Sequence, residues 1–322
     1  MKSLYPLKFT PILKERIWGG NKLKTFLNKE TNLHNVGESW EISDVEGDTS
    51  IVANGKLKGQ SLKQLINTYK EDLLGLQNHR IFKDKFPILI KFIDAKQDLS
   101  IQLHPNDELA KSRHNSFGKT EMWYVFQADE GSNLIVDFNQ NMTPEKYLRH
   151  LNNKTLPKVL NFERVKAGDT YFIESGRVHA IGAGVMVAEI QQTSDVTYRV
   201  YDWDRVDANG NERELHNDLA LDAIDFNMDN NFKVDYNTTK NQSNEMVSCP
   251  YFTTNYLKIS QTIDKINHHD SFIIYMCVDG EGEIMANGIT ETIKKGETIL
   301  LPAVIENYKI KSNNATLLEV YV

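Results

Sequence analysis

The stretch Leu99-Ser100-Ile101-Gln102-Leu103-His104-Pro105 alternates apolar and polar residues one by one. Side chains of an extended strand point to opposite faces in turn, so this pattern predicts a strand with one apolar face and one chemically equipped face. Ser100, Gln102 and His104 therefore share a side. Lys119 and Glu121 repeat the arrangement at the entrance to the run Met122-Trp123-Tyr124-Val125-Phe126. A second histidine, His179, follows the glycine turn at Gly176, after the strand-like Phe172-Ile173. Two histidines, a carboxylate and an amide oxygen could thus meet inside one β-barrel.

The rest of the chain carries the same signature. Phe86–Ala95 is almost continuously apolar and rich in β-formers, which predicts a strand buried on both faces. Lys91 sits in its middle. A lysine is rarely buried without a partner, so Lys91 either reaches solvent or points into a polar cavity. Asn54-Gly55 between apolar flanks reads as a hairpin. Ser61 caps a helix carried through Leu62, Leu65, Ile66, Tyr69, Leu73 and Leu74 to Gly75, and Thr143-Pro144 opens another. A partly helical excursion is expected at Asp107–Lys111, and a short helix around Leu219–Ile224. An Asn- and Asp-rich tract spans 207–240, and beyond it Phe272–Val278, Glu283–Ala286, Gly296–Pro302, Tyr308–Ile310 and Thr316–Val320 are short strands separated by glycine-bearing turns, including one at Asp279–Gly282. The fold class is mainly β, with lobes at 1–238 and 239–322.

Composition limits the function classes. A chain of 322 residues exceeds the usual size of a single core, in keeping with two lobes. A net charge of −7 with no basic stripe argues against nucleic acid as a partner. The start, Met1–Phe9, is interrupted by Pro6 and Lys8 before it could form a signal-peptide core, and no stretch reaches membrane-spanning length. With only Cys249 and Cys277 there is no disulfide framework and no cysteine-rich zinc cluster, so a reducing cytoplasm is expected and any metal must take nitrogen and oxygen ligands. Oligomeric state is not legible.

Two stretches carry a resemblance. Gly296, five residues and then Pro302 are similar to the second motif of the cupin jelly roll; Gly168, five residues, Glu174, then Gly176 and His179 are similar to it with glutamate in the proline place. The resemblance implies two cupin-type jelly-roll barrels with a few short helices packed on the first. After Pro302 come Ala303, Val304, Ile305 and Glu306, so the second barrel is expected to lack metal ligands.

The tracts Leu99–Asn106, Gly118–Tyr124, and Val178–Ala180 through Glu189 to Ser194–Arg199 together resemble type I mannose-6-phosphate isomerase in its short bacterial form. This implies one zinc ion per chain, held by Gln102, His104, Glu121 and His179. It also implies aldose–ketose isomerisation between mannose 6-phosphate and fructose 6-phosphate through a cis-enediol. By the same resemblance Lys119 lies near the sugar oxygens, Arg199 stabilises charge or takes part in proton transfer, and Asp195 orients Arg199. The alternative for Arg199 is a salt bridge to Asp202 or Asp204. Phosphate needs cations or hydroxyl donors, for which Ser100 and Lys91 are the candidates. Trp18 and the Gly37–Glu41 segment resemble family stretches at the pocket mouth but tryptophans of a barrel are commonly core, and no role is assigned to them. The competing readings are a sugar-phosphate-binding cupin without turnover, and a metal-dependent cupin of other chemistry, either a dioxygenase or another sugar isomerase.

Overall fold

The apolar run becomes the strand Ile88–Ala95, buried at every position. Its neighbours explain why both faces are covered. In the computed structural model, which describes residues 4–207, 209–227 and 231–322, this strand lies inside a six-stranded antiparallel sheet. The order is Thr170–Ile173, Glu121–Ala128, Val185–Gln192, Ile88–Ala95, Ile12–Gly20, Val36–Ile42. Met1–Ser3 of the N-terminal run, and Ala208 and Met228–Asn230 of the Asn- and Asp-rich tract, lie outside the described residues.

A five-stranded sheet faces it, in the order Leu160–Arg164, Asn133–Phe138, His179–Ile181, Ile101–Leu103, Tyr198–Tyr201. Residues of one parity on the six-stranded sheet, among them Ile93, Trp123, Val125 and Val187, pack inward against Leu134, Val136 and Ile181 of the five-stranded sheet. The other parity, Ile90, Phe92, Met122, Tyr124, Ala188 and Ile190, packs outward onto Ile274, Met276, Leu318 and Val320 of the second lobe. One sheet thus serves two apolar cores, and its strands lose the polar alternation of a sheet that meets water.

The second lobe is a seven-stranded antiparallel sheet built around Ile273–Ala286 and Asn307–Tyr321. Its inward residues, among them Leu257, Ile259, Tyr275, Cys277, Ile299, Leu301 and Leu317, form a separate apolar core. The start of the chain lies on this lobe, where Leu7 and Leu300 exchange backbone hydrogen bonds of 2.8 and 2.9 Å. Among the described residues no helix is long and apolar enough to cross a membrane.

Three local expectations are altered by distant contacts. The helix capped by Ser61 forms with a full capping box but ends at Tyr69; Lys70 adopts φ 49°, and a new turn over Glu71–Leu74 turns Leu73 and Leu74 into the core. Helical spacing is the same with or without that break. Asn54-Gly55 opens a short 3-10 turn rather than a two-residue turn; the chain still doubles back, with Ile51 bridging Ser61, and the Asn54 amide and the Tyr5 hydroxyl tie the loop to the N-terminal segment, where Ile51–Val52 also pairs with Phe9–Thr10. The strand from Ile273 runs through Asp279–Gly282 as irregular pairing rather than turning. Gly280 is there for close approach: a Cβ on it would stand 1.8 Å from the Asn314 carbonyl oxygen.

Candidate active site

Each equipped side chain is placed by a strand end. Gln102 lies in Ile101–Leu103, and His104 just beyond it. His179 opens His179–Ile181 and stands directly across from Gln102 in the register. Glu121 opens Glu121–Ala128 in the facing sheet. The turn before His179 is fastened to both other segments: Gly176 N–H donates to the His104 carbonyl at 2.8 Å and Ser175 N–H to Thr120 Oγ1 at 3.3 Å. Gly176 has φ 88°, a conformation that favours glycine. Glu174, which stands in the proline place of the cupin-like motif, pairs with Arg177 at 3.3 Å.

Both imidazoles are oriented through Nδ1. His104 Nδ1–H donates to the Val196 carbonyl and His179 Nδ1–H to the Arg177 carbonyl, each at 2.9 Å. A carbonyl only accepts, so the proton is on Nδ1 and the Nε2 lone pair of each ring faces inward. His104 Nε2 lies 3.5 Å from Glu121 Oε2, and His179 Nε2 lies 3.6 Å from Glu121 Oε1. All three side chains are 1% exposed. Among the described residues, Glu121 Oε1 and His179 Nε2 have no hydrogen-bond partner. Buried acceptors left unpaired are costly, and here they converge: one ligand atom from each of the three residues lies within 4.8 Å of the others. Two imidazole nitrogens and a carboxylate oxygen in this arrangement can hold a metal ion.

The electrostatics suit that role. Burial, and then the Lys119 ammonium, hold the His104 imidazole well below its ordinary range and push His179 down to about 3, so both rings stay neutral. Burial, and then Glu189, push Glu121 up to about 7. Lys119 Nζ bonds the Glu121 carboxylate and lies 2.9 Å from His104 Nε2.

A cavity of about 440 Å³ reaches this group at His179, and Ser100, Gln102, Lys119, Asp195 and Arg199 are all on its lining. A second cavity of about 500 Å³, at Gly20–Lys22 and Asp94, contains neither histidine. Lys91 faces the first cavity rather than solvent and is ion-paired with Glu189 at 2.9 Å, its register partner, with Glu38 at 3.9 Å. Burial alone would discharge Lys91, but Glu189 and Glu38 outweigh it and raise the ammonium above its usual value. Glu189 responds in kind: burial would raise it, yet Lys91 and Lys119 hold it down to about 2.

Ser100 Oγ donates to Gln102 Oε1 and accepts from Arg199 Nε, both at 3.3 Å. Arg199 also donates from Nη1 to the Glu214 carbonyl at 2.8 Å. Asp202 is taken by Arg213 at 2.7 and 2.5 Å, with Arg205 at 3.7 Å, so the salt bridge considered for Arg199 is not formed. Asp195 is exposed, and the side-chain hydrogen bonds of Arg199 go to Ser100 and Glu214 rather than to it.

Several cavity residues had no role in the sequence reading: Glu189, Glu38, Arg16, Trp40 and Arg213. Glu189 had a signal. A carboxylate inside Val185–Ile190 needs a buried partner for the same reason that Lys91 does, and the two are each other's partners. Glu38 is held by Arg16 Nε and Trp40 Nε1, each at 2.6 Å, an arrangement that no local pattern reveals.

Residues 6–132 match the family model "Phosphomannose isomerase type I, catalytic domain", and residues 242–322 match "Mannose-6-phosphate isomerase, cupin domain". Over 309 residues the chain is 34% identical to mannose-6-phosphate isomerase ManA of Bacillus subtilis, covering 95% of this chain and 96% of that protein. The chain belongs to the type I phosphomannose isomerase family. It is also 32% identical to a mannose-6-phosphate isomerase of Streptococcus mutans, with 94% of each chain covered. The fold agrees: the crystal structure of the mannose 6-phosphate isomerase from Bacillus subtilis superposes with a TM-score of 0.89 at 32% identity, covering 99% of this chain and 100% of that one.

Proposed function

We propose that this chain interconverts mannose 6-phosphate and fructose 6-phosphate, with one zinc ion per chain held by Gln102, His104, Glu121 and His179. The observation that carries the reading is the convergence of two neutral imidazoles and an unpaired carboxylate oxygen beside a substrate-sized cavity that His179, Gln102 and Lys119 line. Zinc favours a few nitrogen and oxygen donors with a position left open, and Gln102, across from His179, supplies a further oxygen. When bound, the ion supplies Lewis acidity toward the sugar oxygens.

The chain's own residues account for the rest. Isomerisation removes a proton beside a carbonyl and returns it to the neighbouring carbon, by way of a cis-enediol, and negative charge develops on oxygen meanwhile. Arg199 is half-buried and bonded only to neutral acceptors among the contacts above, so its charge is available to the cavity. Lys119 lies beside Glu121 and His104 and places an ammonium at the same depth. Ser100, on the wall shared with Arg199, contributes its hydroxyl to the phosphate when that hydroxyl turns from Gln102 to the substrate. Lys91 contributes to substrate binding from the opposite sheet while its charge is balanced by Glu189 and Glu38. Asp195, at the exposed side of the cavity, acts in the same catalytic group without touching Arg199.

The test is formation of fructose 6-phosphate from mannose 6-phosphate in a coupled assay, before and after chelation. Turnover is expected to vanish with the metal and to return with added Zn2+. Full turnover in protein shown by elemental analysis to be metal-free defeats the zinc assignment, and metal-replete protein that binds the sugar phosphate without converting it defeats the activity.

A further inference from the structure

Among the described residues no carboxylate is bonded to Arg199 to aim it, yet its side chain is fixed. What fixes it is the segment Arg213–His216, which precedes the helix Asn217–Ala223. Arg199 N–H donates to His216 Nδ1 at 3.1 Å, and His216 N–H donates to the Arg199 carbonyl at 2.7 Å. Two residues earlier, the Glu214 carbonyl accepts from Arg199 Nη1 at 2.8 Å. The segment thus grips both the backbone and the guanidinium of one residue. A backbone N–H is an obligatory donor, so Nδ1 of His216 must act as the acceptor and its ring proton is on Nε2.

The groups around the imidazole hold it in that pose. The Tyr198 ring lies 6.3 Å away, and the Tyr198 hydroxyl is 2.8 Å from His114 Nε2. The Glu214 carboxylate is 3.9 Å from His216 Nε2. Charge on the ring would meet Arg199 and His114 on one side and Glu214 on the other, and burial disfavours it first.

We propose that His216 is a positioning residue for Arg199: by accepting the Arg199 backbone N–H at Nδ1 it sets the register that seats the Glu214 carbonyl on the guanidinium and turns the charge toward the cavity. The inference rests on the reading of Arg199 as a group that acts on the substrate. A side chain displaced by about 1 Å can cost roughly 100-fold in rate, so loss of this grip is expected to appear in kcat.

His216→Phe keeps a ring beside Tyr198 and removes the acceptor; His216→Asn keeps an acceptor at the place of Nδ1. Metal-loaded His216→Phe is expected to lose about 10- to 100-fold in kcat with little change in KM and unchanged metal content, and His216→Asn to recover most of the loss. In an Arg199→Ala background His216→Phe is expected to add nothing. Wild-type kcat in His216→Phe, or losses that multiply with Arg199→Ala, overturns the inference. Should His216→Phe fail to fold, His216→Gln, which carries its amide oxygen one bond too far out, is expected to be slow where His216→Asn is not, and equal rates for the two overturn the inference. Arg199→Ala with wild-type kcat overturns the role of Arg199 itself, and is told apart because it appears without any change at His216.

Discussion

Glu121 in the first lobe and Glu319 in the second are both buried carboxylates on barrel strands, and they differ in what surrounds them. Glu319 accepts from Ser243, Asn255, Lys265 and Tyr275 at 2.7 to 3.2 Å, drawn from separate segments of its lobe. Both of its oxygens are satisfied, and the remaining interior is filled by Leu257, Ile273, Cys277 and Leu317. Glu121 leaves one oxygen unpaired, facing an equally unpaired His179 nitrogen. A saturated buried carboxylate ties strands together; one held short of saturation against neutral imidazoles is arranged for an incoming cation.

The largest effect is expected at the unsaturated site. His104→Ala or His179→Ala should each abolish bound metal and lower kcat by roughly a thousandfold or more, since the ion's charge stabilisation is worth several kcal/mol. Stoichiometric zinc with normal turnover in either variant would erase the distinction between the two lobes.

Next comes the wall of the first barrel. Glu189→Gln leaves Lys91 buried without its nearest counter-ion, which should cost about 3–5 kcal/mol in denaturant unfolding. The pH dependence has a definite sign. Glu189 is held down to about 2 in the native state, against ~4.3 for an exposed glutamate, so its contribution is complete above the unfolded value and is lost as pH falls through the native one. The stability gap between wild type and Glu189→Gln should therefore stay constant above pH ~4.5 and close toward pH ~2. A gap independent of pH across that range would mean that the pair is not ionised as described.

The smallest effect on catalysis is expected in the second barrel. Leu317→Ala, in its apolar interior, should cost about 2–5 kcal/mol of stability and leave kcat and metal content of the folded enzyme unchanged. A fall in kcat at full metal occupancy would show that the second lobe shapes the first through the core they share at Phe92, Met122, Ile274 and Leu318.

Much of the molecule was legible because its signals are local. The caps at Ser61 and Thr143 begin helices where the sequence places them, each accepting from a backbone N–H three residues on. Lys91 could be flagged as anomalous, but its partner could not be chosen between solvent and cavity until Glu189 was set opposite it by the pairing of two strands almost a hundred positions apart. The partners of Arg199 follow the same rule: carboxylates at 195, 202 and 204 are near in sequence, whereas the groups bonded to it are Ser100, Glu214 and His216.

The sequence alone was enough to tell which residues share a face, where the helices capped by Ser61 and Thr143 begin and that no histidine follows Pro302 in the second barrel, since these follow from the repeat of a strand or helix and from side-chain chemistry. Only the tertiary structure decided which buried charges neutralise one another and which lone pairs remain unpaired. Those outcomes depend on sheet register and on which sheet faces which, and a shift of one residue in either would turn His179 and Glu121 away from each other.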